Sequence, residues 1–400
     1  MGTLEGLGLK DYACAVIAAG ALFSYLLETQ KTSLEHMRAI TPYITDKYML
    51  IDSSTRRNLE LTETMREKGK RGSLLWVLDK TKTAMGARML RTFLEQPLID
   101  KDEINGRLDA VEEINRHEMD REELREYLNP VYDMERLVSR VSYQSANPRD
   151  MISFKTSVGM IPHIKKLLEP FTCGELKKVY EEMDDLKDLY DLLDISIVED
   201  PPLAMKEGGI IKEGYQEQID HFREAKTKGK TWLAELEASE KEKTGIRTLK
   251  VKYNKVFGYY LEVTNSFKDM VPDYYTRKQT LTNAERYITP RLKELEDMIL
   301  GAEDKLYALE YDEFVKVRNQ VAAQVERIQR TAKAIARLDT YLSLALVASR
   351  NQFVRPKINT KGVIDIKNGR HPVVEKMISN DMFIPNDTYL DNGKNRISVI

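Results

Sequence analysis

Cysteine is nearly missing from this sequence. Cys14 and Cys173 stand far apart and form no C-x-x-C pair, so a disulfide framework and a cysteine-rich metal site are both excluded, and the usage fits a reducing compartment. Histidine is almost as rare, with five in 400 residues and none three or four positions from another, which argues against a histidine metal site. Long apolar runs are absent too. The longest, ACAVIAAGALFSYLL at 13–27, is alanine-rich and shorter than the roughly 20 residues that a membrane span needs, so it reads as a buried helix. No basic flank precedes an apolar stretch near the start, which argues against a secretory signal. Glycine (20) and proline (13) are scarce while charged residues reach 32%, a balance that predicts a mainly helical chain with a strongly solvated surface.

A recognisable catalytic set is also lacking. The adjacent acids Glu112–Glu113 and Asp184–Asp185 lie on helical charge runs, where a solvated face is the ordinary explanation. No serine, cysteine and histidine combination specifies a triad. GKT at 229–231 has the ending of a phosphate loop but Glu224 where the first glycine belongs, and it falls within a helical pattern. His371, in GRHPVV, reads as a structural turn residue rather than a ligand or base.

What is present is helix. Residues 9–40 read as one helix closed by TPY at 41–43. A helical region follows to about 130, in which Leu75, Leu78, Met85, Met89, Leu90 and Phe93 recur at helical intervals around a small break near Thr81. Pro97 ends one helix and Asp100 can cap the next. Further helices are expected at about 131–142, 150–169 and 174–193, with a loop at 198–209. A highly charged helix at about 212–243 carries a thin stripe of Ile219, Phe222, Trp232, Leu233 and Leu236. From Ala302 to Arg355 there is no Gly or Pro, and Phe314, Val317, Val321, Val325, Ile328, Ala332, Ile335, Leu338 and Leu342 follow at steps of three and four. That spacing predicts one long strut of roughly 80 Å, packed on a partner helix.

Between the two long helical stretches the period changes from helical to two. In IRTLKVKYN (246–254) Leu249, Val251 and Tyr253 alternate with Lys250, Lys252 and Asn254, so a strand would bury the first set and display a basic, polar face. NKVFG (254–258) supplies a turn and YYLEVTN (259–265) a second strand. A third, YTRKQTLT (275–282), sets Lys278 and Thr280 on one face and Arg277 and Gln279 on the other. TNAE (282–285) fits a capping box that would open a short helix, restarted at Pro290. Gly245–Arg291 holds nine Lys or Arg against four Asp or Glu, a local surplus of five that leaves the remainder at −7 given the total of −2. Such a lobe suits a polyanion. Lys250, Lys252, Asn254, Lys255, Lys278, Thr280, Asn283 and Arg286 could line one surface with donors for phosphate oxygens, which position a duplex without reading its sequence. The alternative is a structural helical scaffold whose basic lobe binds an acidic protein. A nucleotide hydrolase is a third possibility.

Six stretches, in order, carry a resemblance: MLIDSSTRRNLEL (49–61), LLWVLDKTKTAMGARMLRTFLEQPL (74–98), DMERLVSRVSYQSANPRD (133–150), YNKVFGYYLEVTN (253–265), RKQTLTNAERYITPRLKELE (277–296) and GRHPVVE (369–375). Together they resemble the bacterial form of the MutS family of DNA mismatch-repair proteins. The resemblance implies a mainly α fold: a helical core with long lever helices, a small mixed α/β clamp lobe at their tip, and an incomplete α/β ATPase start at the C-terminus. The implied parts are a connector-to-core segment (1–43), core and lever helices (44–215), lever tip and clamp (216–294), a returning lever helix (295–355) and the first part of the ATPase domain (356–400). NRISVI (395–400) resembles the strand leading into the family's phosphate loop, so the sequence is expected to stop just short of it. Phe383 and Ile384 resemble the pair that holds adenine, half of a nucleotide site. The amino-terminal mismatch-reading domain is expected to be absent. The implied partners are double-stranded DNA and, in an intact protein, a second copy and a MutL-type protein, with no membrane. ATP and Mg belong to the intact protein and no cofactor to this fragment, which should clamp DNA rather than act as an enzyme. A cytoplasmic, nucleoid-associated location goes with that reading.

Overall fold

Side chains that accept from the first free backbone N–H groups decide where the early helices begin. Asp52 caps α2 (Ser53–Asn58), Ser73 caps α3 (Leu74–Leu78), Thr83 caps α4 (Ala84–Glu95) and Asp100 caps α5 (Lys101–Arg116). The α3–α4 junction is the break expected near Thr81. The structure, a computed structural model, describes residues 13–29, 47–202, 205–256, 258–378 and 382–398, without the side chains of 206 and 225–227. Ahead of α2 lies α1 (Ala13–Thr29), whose expected neighbours at 9–12 and 30–43 fall outside the described residues. The helix is there, but none of its described residues is buried, which corrects the expectation of a buried helix. Alanine-rich apolar sequence sets helix and hydrophobicity, and burial needs a covering element that the sequence pattern does not name.

The chain folds as two units, one formed by 1–145, 153–187 and 321–400 and the other by 146–152 and 188–320. The first is built around α13 (Val325–Asn351), against which α3, α4, α5, α6 (Glu118–Leu128), α7 (Met134–Ser142) and α9 (Gly174–Glu182) pack. Long α8 (Pro148–Leu168) follows α7 in the chain. The helix expected at 174–193 is two, α9 and α10 (Lys187–Ser196). Asp184 makes the break: its N–H donates to Thr331 Oγ1, its carboxylate accepts from Leu186 N and from Arg327, and Leu186 turns to φ 48°.

The expected 80 Å strut is likewise two helices, α12 (Pro290–Ala322) and α13, separated by a turn at Ala323–Gln324. No Gly or Pro marks that turn, so periodicity runs through it. The seam itself is real: eight of its nine positions are buried and Val325, at the start of α13, is half-buried.

In the second unit α11 (Glu217–Thr244) and α12 run beside each other. Gly229 lets them approach, since a Cβ there would come 2.6 Å from Ile299 Cγ1. GKT at 229–231 is therefore helix interior. At the end where α11 stops, in a left-handed Gly245 (φ 70°), the chain forms a four-stranded antiparallel sheet of order β1-β2-β4-β3 before returning as α12. Its strands are β1 (Lys250–Asn254), β2 (Gly258–Thr264), β3 (Thr276–Thr280) and β4 (Ala284–Ile288). The expected capping-box helix at 282–285 is overturned. Thr282 and Asn283 form the turn between β3 and β4, because AERYI pairs with both neighbours, Leu261 opposite Tyr287 and Thr280 opposite Glu285.

The C-terminal part of the first unit holds β5 (Ile364–Gly369), α14 (Val374–Met377) and β6 (Asn386–Leu390), with β5 and β6 antiparallel. NRISVI forms no strand over its described residues 395–398, and 399–400 lie outside them. A strand needs a neighbouring ladder to pair with, which the apolar residues of so short a stretch do not specify.

Candidate nucleic-acid interface

Pleat alternation sorts the lobe into two faces. One packs inward: Leu249, Leu261, Val263, Tyr275 and Tyr287 cluster with Leu233 and Leu236 of α11 and Leu292, Leu295 and Ile299 of α12. The lobe thus sits on the turning end of the helix pair. A second tether fixes it there. Buried Glu240 of α11 accepts from the hydroxyls of Tyr274 and Tyr275, each at 2.8 Å. Burial and then this carboxylate push the Tyr274 phenol up to about 12 and the Tyr275 phenol higher.

The opposite face carries Lys250 and Lys252 on β1, Tyr260 and Glu262 on β2, Arg286 on β4 and Gln279 on β3, as the register places Lys250 opposite Glu262, Lys252 opposite Tyr260, Glu262 opposite Arg286 and Arg286 opposite Gln279. Lys250 is exposed, and so are Lys255 at the β1–β2 turn and Lys278 in β3. Among the described residues none of these three has a carboxylate within ion-pair distance. Lys252 is different: its Nζ lies 2.6 Å from Glu262 Oε1, and that partner raises its pKa. Arg286 stacks over Tyr260, 4.4 Å from the ring centroid, and donates from one terminal nitrogen to Gln279 at 2.8 Å.

The other expected donors are arranged less uniformly. A bulge between Arg277 and Gln279 overturns the expected alternation in β3. Gln279 shares the face of Arg286, whereas Thr280 pairs with Glu285 and joins the side of Leu261 and Val263. An extra residue in one strand shifts every later side chain to the other face. Asn254 serves its turn, its Oδ1 accepting from Val256 N at 2.8 Å. Asn283 is exposed in the β3–β4 turn, its carbonyl accepting from Asn265 N. Glu262, Tyr260 and Gln279 were not singled out from the sequence. The signal was the hairpin register, which puts Glu262 across from the lysines once NKVFG is taken as the turn.

Elsewhere, Phe383 is half-buried and Ile384 is 78% exposed in the irregular segment before β6. Both side chains are apolar, and that of Ile384 is open to solvent. His371 Nδ1 accepts from Val373 N and Val374 N, closing the turn into α14, the structural role expected of it. Among the described residues no group of three or more His, Cys, Asp or Glu could hold a metal ion, and no helix is long and apolar enough to cross a membrane.

A family model described as MutS domain III matches residues 54–345. The DNA mismatch repair protein MutS of Lachnoclostridium phytofermentans is 65% identical over 400 residues, all of this chain and 43% of that protein. Its counterpart in Acetivibrio thermocellus is 54% identical over 383 residues, 96% of this chain and 44% of that protein, and that of Ruminiclostridium cellulolyticum 52% over 396 residues, 99% and 45%. The chain spans less than half the length of these curated relatives.

Proposed function

Because the chain belongs to the MutS family, we propose that its four-stranded lobe holds the sugar-phosphate backbone of duplex DNA without regard to sequence, in the service of mismatch repair. The observation that carries this is a polar sheet face with Lys250 and Lys252 on one outer strand and Arg286 on an inner one, beside an exposed Lys278 at the bulge of the other outer strand, at the turning end of a helix pair. Three strand spacings separate β1 from β3, about 14 Å. That span is comparable with the ~12 Å major groove, so Lys250 and Lys278 can meet phosphates on its two sides. Lysine ammonium groups meet phosphates as point charges, which supplies grip and no base readout.

The helix pair gives the lobe reach. From the Arg223–Glu310 ion pair, 2.8 Å within the same unit, to Gly245 is a rise of about 33 Å. A tilt of about 5° at that pair moves the lobe by about 3 Å, so the helices are suited to couple the clamp mechanically to an ATPase domain. In the longer protein, ATP and Mg would be held largely by residues outside this chain, with Phe383 and Ile384 contributing at most apolar surface to the adenine. Homodimerisation, a MutL-type partner and a cytoplasmic, nucleoid-associated location belong to the same proposal. The chain alone is expected to turn over no nucleotide.

The test is a salt titration of the chain with a matched and a singly mismatched duplex. Equal affinity for the two, with log K falling steeply against log salt, supports the reading. The double reversal Lys250→Glu, Lys278→Glu is expected to weaken both alike, by at least tenfold. A strong preference for the mismatch, or no binding at low salt, overturns it.

A further inference from the structure

The basic face is not uniformly available, and one residue is responsible. Glu262 stands on the second strand between Lys252 and Arg286, its two oxygens aimed at different cations, Oε1 at Lys252 Nζ (2.6 Å) and Oε2 at Arg286 Nε (4.0 Å). The second contact is too long for a hydrogen bond. Arg286 Nε is accordingly buried with no hydrogen-bond partner, while Tyr260 below and Gln279 beside it fix the guanidinium plane. A preset guanidinium whose Nε donor is unused, next to a lysine, is an arrangement that a phosphodiester oxygen would complete.

We propose that Glu262 is a built-in phosphate stand-in: it holds Lys252 and Arg286 while the face is empty and is displaced from them when a phosphodiester binds. The proposal rests on the backbone-binding reading above and adds a regulatory residue to the same site. Exchange is easy because the Lys252–Glu262 pair is solvent-exposed, at 46% and 22% for the two side chains, and such pairs contribute little to stability. The carboxylate remains beside the bound phosphate after exchange, and the two repel. Glu262 therefore lowers the affinity of the face and shortens its hold, a useful property in a grip that must open. Lys250, Lys255 and Lys278 carry the first encounter, and the Lys252–Arg286 pair is a second contact made at the expense of Glu262.

Glu262→Gln keeps the shape and removes the charge. In fluorescence anisotropy of the chain with a short matched duplex, it is expected to tighten binding by about fivefold at low salt and to steepen the slope of log K against log salt by about 0.9. Lys252→Gln placed on that background is expected to cancel most of the gain. Unchanged or weaker binding by Glu262→Gln, in protein whose circular dichroism matches the parent, overturns the proposal. So does a gain that survives Lys252→Gln with Arg286 also replaced by Gln. If Lys250→Glu, Lys278→Glu still weakens binding by at least tenfold in that case, backbone binding stands and only the stand-in fails. If no variant binds duplex at low salt, both fail together.

Discussion

Two carboxylates, one in each unit, make opposite uses of the same chemistry. Asp339 of α13 is fully buried and accepts from Lys82 N at 2.9 Å, Thr83 N at 2.7 Å and Thr83 Oγ1 at 2.8 Å, bridging the α3–α4 junction. Beside it Ser343 Oγ accepts from Lys80 N and donates to Leu78 O, and Gly86 is small because a Cβ would overlap the carboxylate. Asp339 thus accepts from three donors at once. Glu262 is only half-buried, pairs with one cation and only approaches the other. A saturated buried carboxylate fixes a joint, and on the proposal above an unsaturated half-buried one leaves a site.

The largest effect that would break this contrast is on stability. Asp339→Ala leaves three donors without an acceptor, two of them buried, and is expected to cost about 3–5 kcal/mol, read as a drop in urea midpoint. Glu262→Gln removes an exposed pair and is expected to cost less than about 1 kcal/mol. Equal losses would remove the distinction between joint and site.

A smaller effect sharpens it through pH. Burial raises Asp339 above its ordinary 3.8. Proton binding there favours the folded state, and that component is lost as pH rises through the raised value. Glu113 runs the other way. Reaching from α5 to the start of α9, it accepts from Thr172 N, Thr172 Oγ1 and Cys173 N. Burial alone would push it up, but these bonds outweigh burial and hold it down at about 2 against an ordinary 4.5. Its contribution is present above pH 4.5 and drains away as pH falls toward 2. Glu113→Gln is expected to cost roughly 1–2 kcal/mol at neutral pH, after allowance for its exposure. The gap to the parent should close on acidification, as followed by thermal melts. A gap constant with pH would contradict the sign.

How much of this was legible in the sequence follows from the range of the forces. Asp100 and the break near Thr81 were readable because caps act within one turn, and the β1–β2 hairpin because alternation in KVKYN and YYLEVTN is local. The seam from Phe314 to Leu342 was readable as well. The turn at Ala323–Gln324 was not, since no Gly or Pro marks it, nor was the break at 183–186, which depends on Thr331 and Arg327 far along the chain. Thr282 with Glu285 imitates a capping box, and pairing of β4 between two strands overrode it. On the basic face the lysines were visible as residues. Their differing availability was not, because it is set by Glu262 across the register and by a bulge in β3.

The most direct measurement is lysine acetylation footprinting by mass spectrometry, with and without saturating duplex. Lys250, Lys255 and Lys278 are expected to lose most of their reactivity while the exposed Lys357 and Lys361 of the other unit keep theirs. Protection at Lys357 and Lys361 with Lys250 and Lys278 still reacting would contradict a backbone grip by the lobe.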